Sequence, residues 1–199
     1  MTATATPGAP TDRAADILEA ACRVILREGA HGLRMASVAL EAGVSKALVH
    51  YYFTTRQDLL RNAFAFSEAR WHAAVGRELA DLTTGAEQVE RILLVSFETD
   101  MAFSEQRALW NEVWSSLRSD DELRPLVEHS YRDWLARVVE LVGEGRADGS
   151  ISERVDPVAA GWRLAASADG LDSLLYLGLV SREEATDLMR GALAREFAA

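Results

Sequence analysis

Residues 43–53 read GVSKALVHYYF, and the fold turns on how this stretch is placed. As a helix it sets Val49, Tyr52 and Phe53 at i, i+3 and i+4, on one face that can be buried. Lys46, Ala47, Leu48, His50 and Tyr51 then point outward. Ser45 stands where a hydroxyl caps the helix start. Gly43 stops a preceding short helix, predicted from about Met35 to Ala42 with Val38 and Ala39 inward, because glycine tolerates the left-handed conformation at a helix end. Helix, glycine-bearing turn, helix is the helix-turn-helix pattern, whose second helix enters the DNA major groove. In that setting Ala47 and Leu48 can meet a thymine methyl. His50 and Tyr51 can donate to phosphate, and Lys46 adds charge beside the helix N-terminus. The alternative is that these residues pack against the second half of the chain, in a helical interaction module without specific DNA binding.

Working outward, the pattern is helical almost throughout and lacks the period-2 alternation of strands. Ile17, Ala21, Val24 and Ile25 stripe a first helix ending near Gly29. Thr55 with Asp58 opens a helix after the quoted stretch, expected to reach about Leu82. Thr84 with Glu87 opens one carrying Val89, Ile92, Leu93, Ser96 and Phe97. Leu109, Trp110, Val113, Trp114 and Leu117 mark the next. Ser119 with Glu122, then Pro125, opens a long helix with Val127, Tyr131, Trp134, Val138 and Leu141 inward, and GRADGSI (145–151) reads as a turn. Asp156–Pro157 is an N-cap followed by proline at the first helical position, and Ser181 with Glu184 caps the last helix near its start. The expectation is an all-α chain of about nine helices.

The 199 residues carry a net charge of −10, which at first argues against nucleic acid. The charge is uneven. From Asp12 to Asn62 seven basic residues face six acids, so that part is +1 and the remainder −11, and no acid lies between Ala42 and Gln57. A cation-bearing surface on an acidic protein can still bind phosphate. The one cysteine, Cys22, sits among apolar residues as a buried thiol. The start of the chain lacks the basic and apolar regions of a signal peptide, and the longest apolar run, LLYLGLV (174–180), is too short to cross a bilayer. A cytoplasmic protein without a membrane partner is expected. The four histidines are scattered, and no H-E-x-x-H, C-x-x-C, G-x-S-x-G or phosphate-loop pattern occurs. No enzyme activity, metal or cofactor is therefore expected.

The segment LRMASVALEAGVSKALVHYYFTTRQDLL (33–60) strongly resembles the DNA-binding part of the TetR family of one-component transcriptional repressors. The family core, A-x-x-A-G-V-S-x-x-x-aliphatic-x-x-aromatic-F followed by a basic residue and two leucines, is met by Ala39, Ala42, Gly43, Val44, Ser45, Val49, Tyr52, Phe53, Arg56, Leu59 and Leu60. HGLRM and ALVHYYF lean toward members similar to the choline-responsive regulator. The resemblance implies phosphate contacts at Ser45, Lys46, Tyr51 and Arg56 and base contacts over Lys46–His50. Arg34 stands where many members have a capping threonine, keeping a phosphate contact but not the cap. Leu48 replaces a frequent threonine, so an operator half-site cannot be copied from a relative. The implied organisation is a lead-in over 1–11, a helix-turn-helix domain over 12–56, and an effector-binding and dimerisation domain over 57–199. The partners are an inverted-repeat duplex, a second copy of the chain and a small-molecule effector.

The second half is rich in large aromatics. Taken singly, Phe97, Met101, Trp110, Trp114, Tyr131, Trp134 and Trp162 read as core; as a set they exceed what packing needs, and the resemblance implies a ligand cavity that would use them as walls. Glu98, Glu112 and Asp169 lie in the same helices. Asp169 is the acid placed at the ligand, with a solvated-face or capping role the alternative for each of the three, and a cation in an aromatic box is a fitting occupant. The helix over 157–178 has too few polar residues for a surface helix. With the last helix it reads as half of a two-fold four-helix interface, built on Gly161, Ala168, Leu171, Leu174 and Leu175, the alternative being burial of this helix inside a single chain.

Overall fold

A computed structural model describes residues 10–98, 101–117 and 123–198, with side chains from 13 onward except 101–105 and 116. Among these are nine α-helices and no strand: α1 (Pro10–Glu28), α2 (Met35–Glu41), α3 (Lys46–Tyr52), α4 (Arg56–Leu79), α5 (Gly85–Leu94), α6 (Met101–Ser116), α7 (Arg124–Asp148), α8 (Pro157–Tyr176) and α9 (Arg182–Phe197). Most of the lead-in expected over 1–11 lies outside the described residues, and α1 already contains Pro10 and Thr11. The Ser119–Glu122 cap also lies outside them. No helix among the described residues is long and apolar enough to cross a membrane.

The chain forms two compact units, one of residues 1–70 and 108–126, the other of 71–107 and 127–199. In the first unit the stripe of α1 is buried as Ile17, Ala21, Val24 and Ile25, together with Val38, Val49, Leu60, Phe64, Leu109 and Val113. In the second, Val89, Ile92, Leu93 and Phe97 join Val138, Leu141, Leu164 and Met189 in one cluster. The two predicted capping boxes that fall on described residues form: Thr84 with Glu87 on α5 and Ser181 with Glu184 on α9. Each satisfies two backbone groups that a helix start leaves unpaired. Asp156 caps α8, accepting from the amides of Val158 (2.9 Å) and Ala159 (3.3 Å).

Three boundaries differ from the sequence reading. Helix α4 ends at Leu79 rather than Leu82, where the Leu82 amide closes a turn on the Leu79 carbonyl. Helix α3 ends at Tyr52, and Phe53 is buried as an extended C-cap residue. Helix α7 runs through Gly145 to Asp148, so the predicted turn shrinks to the residues around Gly149. The reason lies in α5. The Asp148 carboxylate accepts from the Gly85 amide at 2.7 Å, and the Ser150 hydroxyl accepts from the Ala86 amide at 3.1 Å. The polar residues that read as turn formers cap another helix.

Candidate functional site

The reading helix is built from its two ends. Helix α2 closes in a Schellman motif: the Gly43 amide bonds to the Leu40 carbonyl and the Val44 amide to the Ala39 carbonyl, with Gly43 at φ 64°. Only a residue without a Cβ adopts that angle without strain. Ser45 is extended, and its hydroxyl accepts from the Leu48 amide at 3.2 Å to start α3. Val49 is fully buried and Phe53 nearly so, which fixes the rotation of α3. Lys46, Ala47, His50 and Tyr51 are left exposed, Leu48 is half-buried, and Tyr51 is 78% exposed. Arg34 precedes α2 with an exposed side chain that makes no cap.

Two other arginines of this unit pair with an acid of the same unit at its surface. Arg23 and Arg27 both bond to the Glu41 carboxylate at 2.9 Å. Those bonds, Arg23 first, hold Glu41 below the usual carboxylate range. Arg56, expected at phosphate, is engaged elsewhere. Its Nε donates to the Leu33 carbonyl at 3.0 Å and its Nη2 to the Ala30 carbonyl. Two of its five N–H donors thus clamp the connection between α1 and α2.

In the second unit Tyr131, Trp134 and Asp169 come together. The Tyr131 hydroxyl donates to Asp169 Oδ2 at 2.5 Å, and the Trp134 ring meets Tyr131 edge-on at 5.5 Å. Burial, reinforced by the Asp169 bond, pushes the Tyr131 phenol well up. Loss of solvent pushes Asp169 up despite that bond. One turn on, Asp172 is raised in the same way and only partly offset by Arg107, whose Nε lies 3.6 Å from Oδ1. Arg107 also donates to the Ser96 carbonyl at 2.8 Å. Trp134 further lines an open groove of about 400 Å³ with Trp71, Val75, Ile92 and Arg137.

The other predicted effector residues have different surroundings. Phe97 is in the core of the second unit, and the Met101 side chain lies outside the described ones. In the first unit Trp110 donates from Nε1 to Glu68 Oε1 at 2.7 Å and packs edge-on against Phe64 at 5.2 Å, while Trp114 is 56% exposed. Trp162 is 54% exposed on α8. Of the other acids, Glu98 pairs with Arg91, and Glu112 accepts from the Ala30 amide at 3.2 Å. Glu68 was missed, although its step of four beyond Leu60 and Phe64 places it on a buried face. The Glu112 contact has no signal in the sequence.

The residues assigned to a dimer face divide as well. Gly161 and Ala168 are buried inside the second unit, and a Cβ on Gly161 would come within 2.5 Å of Val139 Cγ2. Gly161 is small because α8 passes close to Val139 of α7 there, and Ala168 lies in the core, so neither is on an outer face. Leu171 and Leu175 are partly buried against the same core. Leu174 is exposed, as are Tyr176, Leu177 and, on α9, Leu188.

Comparison with known proteins agrees with this architecture. Residues 17–63 match the bacterial regulatory proteins of the tetR family, and residues 85–198 match the C-terminal region of BetI-type transcriptional repressors. The regulator BetI of Rhizobium meliloti is 30% identical over 111 residues, a stretch covering 56% of this chain and 55% of that protein. The match thus spans about half the length of that relative. A TetR-family regulator from a Rhodococcus species superposes with a TM-score of 0.82 at 26% identity, covering 94% of this chain and 99% of that one. A regulator from Saccharomonospora viridis, crystallised with choline, gives 0.78 at 25% identity over 93% and 95% of the two chains. The helix-turn-helix around α3 and the helical region beyond it are those of regulators rather than enzymes, and the chain belongs to the TetR family of transcriptional regulators, with a BetI-type C-terminal region.

Proposed function

We propose that the chain is a ligand-responsive cytoplasmic repressor that binds an inverted-repeat operator as a homodimer and is released by a small amphipathic or aromatic effector, cations included. The observation that carries the DNA reading is the rotation of α3: burial of Val49 leaves Lys46, Ala47, His50 and Tyr51 on the free face. Lys46, Ala47, Leu48 and His50 face the base edges, and Ser45, Tyr51 and Arg34 hold phosphate. Arg56 supports this surface from behind through its two carbonyl bonds.

The two-fold face is centred on Gly170, Leu174 and Leu177, which lie within about 60° around the α8 axis at 3.6 residues per turn. Gly170 has open space around it, and Leu188 of α9 adds apolar surface. The effector reading rests on Tyr131, Trp134 and Asp169. A carboxylate held above its free pKa beside two aromatic rings gains from a cation that restores its charge. The choline complex of the Saccharomonospora relative is consistent with that class. A hundredfold weakening of operator binding needs about 2.7 kcal/mol of preference for the released state, within the usual range of coupling.

The test is selection from a random duplex pool by the full chain. An enriched inverted repeat with half-sites about one helical turn apart, or a small multiple of it, is expected. Leu48→Thr should then change the preferred base pair at one position per half-site. Enrichment of no sequence would overturn the DNA reading.

A further inference from the structure

The connection between α1 and α2 carries the whole reading head, and it is gripped from two sides. On one side Glu112 of α6 accepts the Ala30 amide at 3.2 Å. On the other, Arg56 of α4 donates to the carbonyls of Ala30 and Leu33. Ala30 itself is fully buried. The peptide groups on both sides of this residue therefore have side-chain partners from different helices, and the start of α2 is placed by them.

The same half of α6 holds α4 directly. Trp110 donates to Glu68, a carboxylate only 8% exposed, and its ring packs on Phe64. A bond from a side chain to a buried backbone amide is broken by a small shift of the helix that bears it.

We infer that Glu112 is a positioning residue for DNA binding: through the Ala30 amide it fixes the placement of α2 and α3 within the first unit, without touching DNA. This rests on the DNA reading above. A carboxamide oxygen can accept the same bond and a methyl cannot. No phosphate contact is removed in either case, so the salt dependence of binding must stay unchanged.

The experiment compares wild type, Glu112→Gln, Glu112→Ala and Lys46→Ala on the duplex enriched by wild type. Binding is measured over a salt series on protein shown to be folded by its thermal transition. Glu112→Gln is expected within about threefold of wild type. Glu112→Ala should weaken binding by about tenfold, the effect of one hydrogen bond of ordinary strength, with the wild-type salt slope. Amide exchange over residues 29–33 should accelerate in Glu112→Ala and not in Glu112→Gln. Wild-type affinity in Glu112→Ala, equal loss in both Glu112 variants, or a flattened salt slope would overturn the inference. Weakening by Lys46→Ala alone would leave the DNA reading standing and remove this one. If wild type enriches no duplex, the DNA reading fails and this inference falls with it.

Discussion

Helices α3 and α8 are both richer in apolar residues than their exposure needs, yet they solve opposite problems. On α3 one buried position, Val49, is enough to fix which side faces out, because the helix is short and both ends are held, by the Schellman turn at Gly43 and the Ser45 cap. On α8 some small residues lie inside and several large ones lie outside. Gly161 and Ala168 are buried, while Trp162, Leu174 and Tyr176 are exposed. The lesson concerns size. A small residue marks a close approach, but a helix that passes near its own chain needs one as much as a helix that meets a partner.

The largest effect is expected where that distinction is sharpest. Gly161→Leu should destabilise the second unit by about 3 kcal/mol, the upper range for overpacking, because the new side chain meets Val139. Gly170→Leu, on the same helix with open space around it, should leave the stability of a single chain within about 0.5 kcal/mol. Urea unfolding of both substitutions on a Leu174→Glu background, which removes the proposed dimer contact, checks this. Equal losses would erase the two-faced reading of α8.

Next comes the outer face itself. Leu174→Glu should dissociate the proposed dimer, seen by light scattering, and abolish tight operator binding, since two half-sites must be held together. A wild-type chain that stays monomeric at micromolar concentration would remove the two-fold proposal.

A smaller effect belongs to Asp169. Its pKa is raised by loss of solvent, so the folded chain binds its proton more tightly than the unfolded one. The stability it contributes is full below the free value of about 3.9 and is lost as pH rises through the folded pKa. Asp169→Asn keeps an acceptor for Tyr131 and removes that loss. The variant should melt higher than wild type at pH 7, lose the advantage below about pH 4, and no longer respond to a cationic effector. A lower melting temperature at pH 7 would contradict the sign.

These contrasts also separate what was legible in the sequence from what was not. The caps at Ser45, Thr84, Asp156 and Ser181 are local, three or four residues long, and all form as read. The exposed set on α3 followed from helical spacing alone. The aromatics were harder, because spacing tells which residues share a helix face and not which neighbour that face meets. Tyr131, Trp134 and Asp169 converge, while Trp110 is engaged by Glu68 and Phe64 in the other unit. Arg56 kept its place in the motif but its donors go to the Ala30 and Leu33 carbonyls, partners more than twenty residues away that no local pattern could name.

The central claim is that the free face of α3 meets DNA while Arg56 supports it from behind. The most direct measurement is the salt dependence of operator binding for wild type, Lys46→Ala and Arg56→Ala. Lys46→Ala should flatten the slope by about one unit per half-site without changing stability. Arg56→Ala should lower stability by about 1–3 kcal/mol and keep the wild-type slope in the folded protein. A wild-type slope in Lys46→Ala, or a flattened slope with unchanged stability in Arg56→Ala, would contradict it.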